Sequence, residues 1–219
     1  MTAAGDPAIA GGRASAAHGG TVAIAAADLV LASASPRRSA LLAGIGVRFA
    51  VVPAHLDETP APAELPRAYV TRLALAKARA VVAATGGALP VLGADTTVVC
   101  DGRLLGKPVS EADAVAMLMA LSGRTHQVFT AVALVRNAIE ADVLVETAVT
   151  FRELSVAECR SYWRSGEPAD KAGGYALQGM GGVFVTRIEG SYSGVIGLPV
   201  AETYKLLCDF AIDCGLSRV

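Results

Sequence analysis

Two arginines stand where the amino-acid sequence begins a helix. In the stretch Ser35-Pro36-Arg37-Arg38, serine is a favoured N-cap and proline a favoured first helical residue, so a helix is predicted to begin at Pro36. The first turn of a helix carries partial positive charge on its free N–H groups and therefore favours carboxylates over cations. Arg37 and Arg38 repel that end unless an anion binds beside them. The sequence therefore predicts an anion-binding site at this helix N-terminus.

A lysine falls on the apolar side of a second predicted helix. Leu65, Tyr69, Leu73, Lys77 and Val81 recur every four residues and so share one stripe of the helix. A lysine in such a stripe can pack its methylene stem and extend its ammonium group to water. It can also neutralise an anion that is held nearby. Both interpretations of Lys77 stay open from these residues alone.

Carboxylates follow predicted strands or lie in predicted loops. Asp95 comes directly after an apolar strand, where α/β proteins place their sites, although an Asx turn between two strands is the alternative. Asp57 and Glu58 lie in a proline-rich loop, where most such pairs of carboxylates are solvated charges. Asp101 precedes a glycine and is typical of a hairpin turn.

Together these side chains suit a polyphosphate. Cations and a helix N-terminus bind phosphate oxygens, and carboxylates that hold Mg²⁺ or Mn²⁺ against those oxygens serve hydrolysis. The candidate cations are Arg37, Arg38, Lys77, Lys107 and Lys171, and the candidate carboxylates are Glu58 and Asp95. There is no G-x-S-x-G motif, no cysteine in a basic context and no histidine cluster, so no pattern indicates covalent catalysis or zinc.

Composition and charge argue against several classes of protein. The 219 residues are 53% hydrophobic, enough for a sizeable core, and a formal net charge of −1 supplies no basic field for nucleic acid. The four cysteines form no C-x-x-C pair, which favours reduced thiols over a disulfide or metal framework. No apolar run is long enough to span a bilayer. We expect a cytoplasmic protein that binds neither nucleic acid nor a membrane.

Strands and helices alternate along the predicted fold before a central hairpin. Residues 1–28 are rich in alanine and glycine, lack the apolar stretch of a signal peptide and are predicted to form a flexible N-terminal extension. Residues 29–219 are predicted to form one α/β domain, a mixed β-sheet flanked by helices with two lobes around a cleft. A glycine-rich loop at 166–182 is too long for a plain connector, which indicates a functional role. The predicted strands are 29–33, 47–52, 91–94, 97–100, 126–136, 143–152 and 183–188, and the predicted helices are 36–43, 66–85, 111–121, 156–164 and 199–212.

The sequence resembles the Maf family of nucleoside triphosphate pyrophosphatases, the septum formation inhibitor-like proteins, over nearly all of residues 29–210. Eight segments carry the resemblance in the family's order and at compatible spacing: LASASPRRSALL, DE, YVTRLALAKA, VLGADTTV, LGKP, LSGRTHQVFTAVAL, EPADKAGGYALQG and GSYSGVIGLPVAETY. The candidate residues chosen above fall within these segments. The resemblance implies a Maf/ITPase-like fold and hydrolysis of a nucleoside triphosphate to the monophosphate and pyrophosphate, with a divalent metal cation, Mg²⁺ or Mn²⁺.

The same resemblance implies roles for individual residues. Asp95 matches the proton acceptor that activates the water attacking the α-phosphorus, and Glu58 matches a metal ligand. The triphosphate-binding positions of the family are matched by Ser35, Arg38, Lys77 and Lys107. A homodimer is implied in the same way.

Three positions distinguish the family's subgroups by base preference. Arg37, Thr96 and Gln178 resemble the subgroup that acts on dTTP and UTP, whereas the 7-methyl-GTP subgroup tends to carry tryptophan, glutamine and glutamate there. A glutamine amide can present a donor and an acceptor to a uracil or thymine edge. The resemblance therefore implies a dTTP/UTP pyrophosphatase. The alternatives are a pyrophosphatase for 7-methyl-GTP or other modified nucleotides, and a non-catalytic nucleotide-binding regulator of septum formation.

Overall fold

A mixed β-sheet organises the chain in the computed structural model, which describes residues 20–216. Its strands are β1 (Gly20–Thr21), β2 (Leu29–Leu31), β3 (Arg48–Val51), β4 (Val91–Cys100), β5 (Arg103–Leu105), β6 (Thr125–Arg136), β7 (Ile139–Phe151) and β8 (Val185–Glu189). The α-helices are α1 (Pro36–Gly44), α2 (Pro66–Thr85), α3 (Glu111–Leu121), α4 (Val156–Arg164), α5 (Tyr192–Ile196) and α6 (Val200–Asp209). The strand order is β1-β3-β2-β4-β6-β7-β8, with β5 paired to β4. The strands β1, β3, β2 and β4 pair in parallel and the others antiparallel, so the predicted mixed sheet flanked by helices is confirmed.

Helix α1 begins where the sequence predicts. Pro36 is its first residue, and the Ser35 hydroxyl accepts a hydrogen bond from the backbone N–H of Arg38 at 3.4 Å. No acidic residue lies in its first turn. The charge conflict that Arg37 and Arg38 create at this helix end is therefore real.

Asp95 lies inside a strand and not at the end of one. β4 is unbroken, and Asp95 pairs with Ala131 of β6, so the two shorter strands predicted at 91–94 and 97–100 are one. The reason is that β6 supplies backbone partners along this whole stretch. On the opposite edge of β4, β2 pairs with Val91 and Leu92, and β5 pairs only from Val98 onward. The stretch between them borders a cleft.

Two apolar cores share the long central strands. One contains side chains of α1, of α6 and Ala94 of β4. The other contains side chains of α3, of α4 and Val98 of β4. Because β4 and β6 contribute to both cores, these strands connect two groups of helices, and Asp95 and Thr96 lie at the junction.

Close packing of α2 on β4 is made possible by Gly93. A Cβ atom at this position would overlap the carbonyl of Ala74 and would lie 2.8 Å from the backbone nitrogen of Ala78. Alternate residues of a strand share one face, so Asp95 faces α2 as Gly93 does. The contact therefore brings Lys77, the neighbour of Ala78, beside Asp95.

Residues 20–28 differ from the flexible extension that their composition predicts. Gly20 pairs with Arg48 in the parallel contact of β1 and β3, and Ile24–Ala26 forms a 3₁₀ turn. Asp28 forms an ion pair with Arg48 at 2.7 Å. Backbone hydrogen bonds to β3 and the residue before it hold this segment against the sheet, and composition carries no signal for them. The remainder of the predicted extension, residues 1–19, lies outside the described residues.

Most of the remaining elements agree with prediction apart from their bounds, but β5 was not predicted. The β6–β7 turn contains only Asn137 and Ala138, with Asn137 at a φ of 56°, so β7 begins four residues earlier than expected. The final helix ends at Asp209, and the short helix α5 was not predicted. Within residues 20–216, no helix is long and apolar enough to cross a membrane.

A histidine is buried in the second core. His126 is 2% exposed, its Nε2 lies 2.9 Å from the Tyr175 hydroxyl oxygen, and its ring packs edge-on against Phe151. Its Nδ1 makes no hydrogen bond to any described residue. Burial lowers the pKa of His126 to about 4. The ring is therefore neutral when the protein is folded at neutral pH.

This burial predicts a dependence of stability on pH. We expect the free energy of unfolding to fall as the pH drops from 6.5 towards about 4, because the unfolded imidazole binds a proton that the buried ring resists. The share due to His126 is about 3 kcal/mol at most. In His126→Gln the side chain keeps a hydrogen-bonding group near Tyr175 without titrating, so denaturant titrations across this range should show a shallower pH dependence. His55→Gln, outside the buried cores, is the control, and an unchanged pH profile in His126→Gln would contradict the prediction.

Candidate active site

A cleft of about 380 Å³ opens between the two cores. This volume falls in the range of small-molecule sites. Its walls come from the N-terminus of α1, from β4, from the Lys107 loop and from the glycine-rich segment after α4. The candidate cations, the two candidate carboxylates and the other residues assigned a site role from the sequence all line it: Ser35, Arg37, Arg38, Glu58, Lys77, Asp95, Thr96, Lys107, Lys171 and Gln178. Residues from distant parts of the chain are thus brought to one place.

Arg38 is held by three acceptors on three different segments. Its Nε donates to the carbonyl of Gly197 at 2.9 Å, its Nη1 to the hydroxyl of Ser33 at 3.1 Å, and its Nη2 to the hydroxyl of Thr96 at 3.2 Å. A guanidinium has five N–H groups, so one on each terminal nitrogen remains. Burial lowers the pKa of Arg38 while Asp95 opposes that effect. This arrangement can offer a two-pronged contact to an anion in the cleft.

Thr96 is itself supported from β6. Thr130 donates to the carbonyl of Gly194 at 2.8 Å, and its hydroxyl oxygen lies 3.1 Å from that of Thr96. Thr96 therefore connects this buried residue to Arg38. Thr130 was not predicted as part of the site, since a single threonine in an apolar strand carries no distinctive pattern.

Ser33 is a second cleft residue that is not among the candidates predicted from the sequence. Besides the contact with Arg38, its hydroxyl accepts from the backbone N–H of Ser35 at 3.2 Å. It is buried where β2 leads into α1. A serine two residues before an N-cap is typical of a local side-chain turn, which is the signal that could have revealed it.

Lys77 lies between two carboxylates. Its Nζ is 2.6 Å from Oε1 of Glu58 and 2.7 Å from Oδ1 of Asp95. Lys77 is 8% exposed and Asp95 7% exposed, so their pair is removed from solvent. Of the two interpretations left open by the sequence, the structure supports the second: the ammonium group neutralises anions and does not extend freely to water.

The two carboxylates differ in basicity. Burial raises the pKa of Asp95, and although Lys77 and Arg38 oppose this, the pKa stays above that of an ordinary aspartate. Burial acts in the same direction on Glu58, but the hydrogen bond and charge of Lys77 outweigh it, so the pKa of Glu58 is lowered. Opposed shifts in neighbouring carboxylates are typical of sites in which each has a different task. Asp95 is the stronger base of the two.

The glycine-rich segment closes one side of the cleft. Lys171, which forms an ion pair with Asp170, and the exposed Gln178 both line it. The backbone N–H of Gly173 donates to the carbonyl of Gly106 at 3.0 Å, which ties this segment to the Lys107 loop. Gly173 has a φ of 69°, and a Cβ there would press on Val98. A glycine is therefore required at this contact.

Two of the carboxylates considered from the sequence do not join the cleft. Asp57 accepts a hydrogen bond from the backbone N–H of Thr59 at 2.9 Å and is exposed. Asp101 lies in the β4–β5 turn and forms an ion pair with Arg124 at 2.5 Å. Asp57 is therefore a solvated loop charge, and Asp101 is part of a hairpin turn.

The donor set for a divalent cation is small. Within the described chain, no group of three or more His, Cys, Asp or Glu side chains is arranged to hold a metal ion. The Lys77 ammonium occupies the point between Glu58 and Asp95, but the Glu58 side chain keeps 48% of its surface exposed at the cleft. Mg²⁺ is commonly bound by one or two carboxylates together with phosphate oxygens and water. The exposed Glu58 carboxylate fits an ion of that kind bound together with a phosphate ligand.

The solved structure of the Nucleoside-triphosphatase / dITP/XTP pyrophosphatase from Mycobacterium abscessus shows a weak likeness to this chain. The TM-score is 0.40 at 22% identity, and the likeness covers 57% of this chain and 75% of that chain. A likeness of this size bears on neither the fold nor the activity.

Stronger similarities come from sequence comparison. The chain matches the family described as "Maf: Maf-like protein" over residues 28–210. It is 54% identical to a dTTP/UTP pyrophosphatase of Saccharophagus degradans over 189 residues, which cover 85% of this chain and 90% of that protein. It is 54% identical to the dTTP/UTP pyrophosphatase of Hahella chejuensis, with coverage of 84% and 92%, and 53% identical to that of Escherichia coli O157:H7, with coverage of 84% and 93%. The cleft residues lie within the matched range, and the chain belongs to the Maf-like protein family.

Proposed function

We propose that this protein hydrolyses dTTP and UTP to the nucleoside monophosphate and pyrophosphate. The observation that carries the proposal is the pairing of Asp95 with Lys77 in the same cleft as the partly unengaged guanidinium of Arg38. A basic carboxylate beside several cations is what hydrolysis of a triphosphate needs. The similar proteins that bear the name dTTP/UTP pyrophosphatase support the choice of substrate.

In the proposed reaction, Asp95 takes a proton from a water molecule. The water oxygen forms a bond to the α-phosphorus, the bond from that phosphorus to the oxygen bridging to the β-phosphorus breaks, and pyrophosphate leaves with the bonding electrons. The raised pKa of Asp95 favours this proton transfer. Arg38, Lys77, Lys107 and the N-terminus of α1 would offset the charge on the phosphate oxygens.

We also propose that Glu58 holds a divalent cation, Mg²⁺ or Mn²⁺, when the triphosphate binds. Such an ion neutralises phosphate charge and favours attack by water.

Base selection is proposed to rest on Arg37, Thr96 and Gln178. All three line the cleft, and the Gln178 amide supplies both a donor and an acceptor. The contact of Thr96 with Arg38 indicates that Thr96 acts through the arginine's orientation.

The four cysteines support a cytoplasmic location for this activity. Cys100, Cys159, Cys208 and Cys214 are all free. Free thiols are the usual state in the reducing cytosol.

We further propose that the residues from 29 onward act as a single domain.

Pyrophosphate release tests the function directly. The protein is incubated with dTTP, UTP, CTP or 7-methyl-GTP, each with Mg²⁺ or Mn²⁺. We expect release from dTTP and UTP to exceed release from the other two. Release confined to 7-methyl-GTP would favour the alternative subgroup, and nucleotide binding without any release would favour a non-catalytic regulator.

Arg38 should contribute mainly to triphosphate binding. Two charged hydrogen bonds to phosphate are lost in Arg38→Ala, so the KM for dTTP should rise roughly 10- to 100-fold. Arg38→Lys keeps the charge but not the planar fork of donors, so its KM for dTTP should lie between those of the wild-type protein and Arg38→Ala. Arg136→Ala, at an exposed position outside the cleft, is the control. A KM that is unchanged in Arg38→Ala would remove Arg38 from substrate binding.

A further inference from the structure

A carboxylate outside the cleft lining anchors the segment that carries Gln178. Oε1 of Glu167 accepts a hydrogen bond from the Tyr162 hydroxyl at 2.5 Å and from the backbone N–H of Gly181 at 3.0 Å. Oε2 of Glu167 accepts from the backbone N–H of Met180 at 3.0 Å. One side chain thus holds two successive peptide groups that follow Gln178.

Glu167 and Tyr162 together also hold the segment before Gln178. The Tyr162 hydroxyl, while donating to Glu167, accepts from the backbone N–H of Ala176 at 3.0 Å. Gln178 therefore lies in a short loop whose two sides, at Ala176 and at Met180, are tied to one carboxylate–phenol pair.

The loop packs closely against Glu167 and Tyr162. A Cβ atom at Gly179 would overlap the Glu167 carboxylate, and one at Gly181 would lie 2.6 Å from the Tyr162 hydroxyl oxygen. Glycines at both positions let the backbone approach closely enough for its N–H groups to reach Glu167 and Tyr162. Their presence in the sequence is explained by these contacts.

The protonation states of Glu167 and Tyr162 agree with the directions of these hydrogen bonds. Burial raises the pKa of Glu167, but the hydrogen bonds from Tyr162, Gly181 and Met180 outweigh it and leave the pKa lowered. Burial, reinforced by the bond to Glu167, raises the pKa of Tyr162. At neutral pH the phenol is therefore the donor and the carboxylate is an acceptor only.

The Gln178 side chain has no comparable support of its own. Its amide makes no hydrogen bond to any of residues 20–216, and it is exposed at the cleft. The position of the amide is consequently set by the backbone on either side. That backbone is what Glu167 and Tyr162 hold.

We propose that Glu167, acting with Tyr162, is a positioning residue for recognition of the pyrimidine base by Gln178. The inference rests on the proposed function, in which Gln178 contacts the base. Glu167 does not line the cleft, so its effect on substrate is transmitted through the loop backbone. Loss of the carboxylate should weaken base recognition and leave the reacting groups around Asp95 in place.

The test is a double-mutant cycle in the full-length protein. Gln178→Ala should raise the KM for dTTP about tenfold and reduce the preference for dTTP over dCTP. Glu167→Ala should give a similar rise, with kcat within about threefold of wild type, and should raise KM little further when it is combined with Gln178→Ala. Tyr162→Phe, which removes only the hydroxyl oxygen, should raise the KM for dTTP by a smaller factor. Hydrogen exchange should quicken at residues 176–181 in Glu167→Ala and not in the central strands.

Glu158→Ala is the matched control. Glu158 lies in the N-terminal capping box of α4, bonded to Ser155 and Arg152, and has no contact with the Gln178 loop. Its loss should lower stability without changing the KM for dTTP. If Glu167→Ala raises KM equally in the wild-type protein and in the Gln178→Ala variant, or lowers kcat alone, the positioning role is overturned while the proposed function stands. If the wild-type protein releases no pyrophosphate from dTTP, or if Gln178→Ala leaves base preference unchanged, the proposed base recognition and this inference fail together.

Discussion

Replacing Asp95 with asparagine should lower the rate of pyrophosphate release by about 10²–10⁴-fold, the usual cost of losing a general base. The amide has the size of the carboxylate but accepts no proton from the attacking water. Its oxygen can still accept a hydrogen bond from Lys77, now 2.7 Å from Oδ1. The cations that surround the cleft remain. We therefore expect Asp95→Asn to bind dTTP with an affinity close to that of wild type.

Two measurements separate chemistry from binding in this variant. Single-turnover release of pyrophosphate gives the chemical step, and calorimetric titration with dTTP gives affinity. Asp101→Asn is the control, because Asp101 is a carboxylate of the neighbouring turn that pairs with Arg124 outside the cleft. Full activity in Asp95→Asn would remove Asp95 from the reaction. A large loss of dTTP affinity in the same variant would instead assign it to binding.

Replacing Lys77 with methionine should both inactivate the protein and destabilise it. Methionine fills the space of the lysine stem, but it leaves the buried Asp95 without its nearest cation. Removing one partner of a buried ion pair typically costs about 3–5 kcal/mol. We expect the free energy of unfolding at neutral pH to fall by about 3 kcal/mol, since Arg38 also lies near Asp95 and compensates in part.

The Lys77→Met/Asp95→Asn double variant distinguishes the buried charge from the packing. With no ionised group left to stabilise at residue 95, most of the lost stability should return, although activity should not. In Lys77→Met alone, the loss in free energy of unfolding should shrink as the pH falls. The pKa of Asp95 in the folded variant lies above its value in the unfolded chain, so protonation stabilises the folded state relative to the unfolded state. Lys205→Met, at a lysine of α6 outside the cleft, is the control for loss of charge. Denaturant titrations that show equal stability for Lys77→Met and wild type would contradict the importance of this pair.

The local features of the site follow from the amino-acid sequence alone. The start of α1 follows from Ser35 and Pro36, and the conflict of Arg37 with the helix end is visible without any tertiary contact. The stripe that contains Lys77 follows from the helical period alone. Capping, charge near a helix end and side-chain periodicity act over only a few residues, which is why a linear sequence is enough to reveal them. The ordered set of eight segments was also enough to predict the family.

Which of these residues meet, and in which protonation state, depends on tertiary contacts. Asp95 was expected at a strand end, but β6 continues to pair beyond it, and Gly93 lets α2 bring Lys77 to it. Likewise, residues 20–28 are held against the sheet by pairing with β3, and Glu167 reaches a loop that follows it in the sequence. Sheet pairing, close approach of backbones and burial depend on groups that are distant in the chain. Those contacts raise the pKa of Asp95 and anchor the loop of Gln178, because desolvation and hydrogen bonding exist only once the chain has packed.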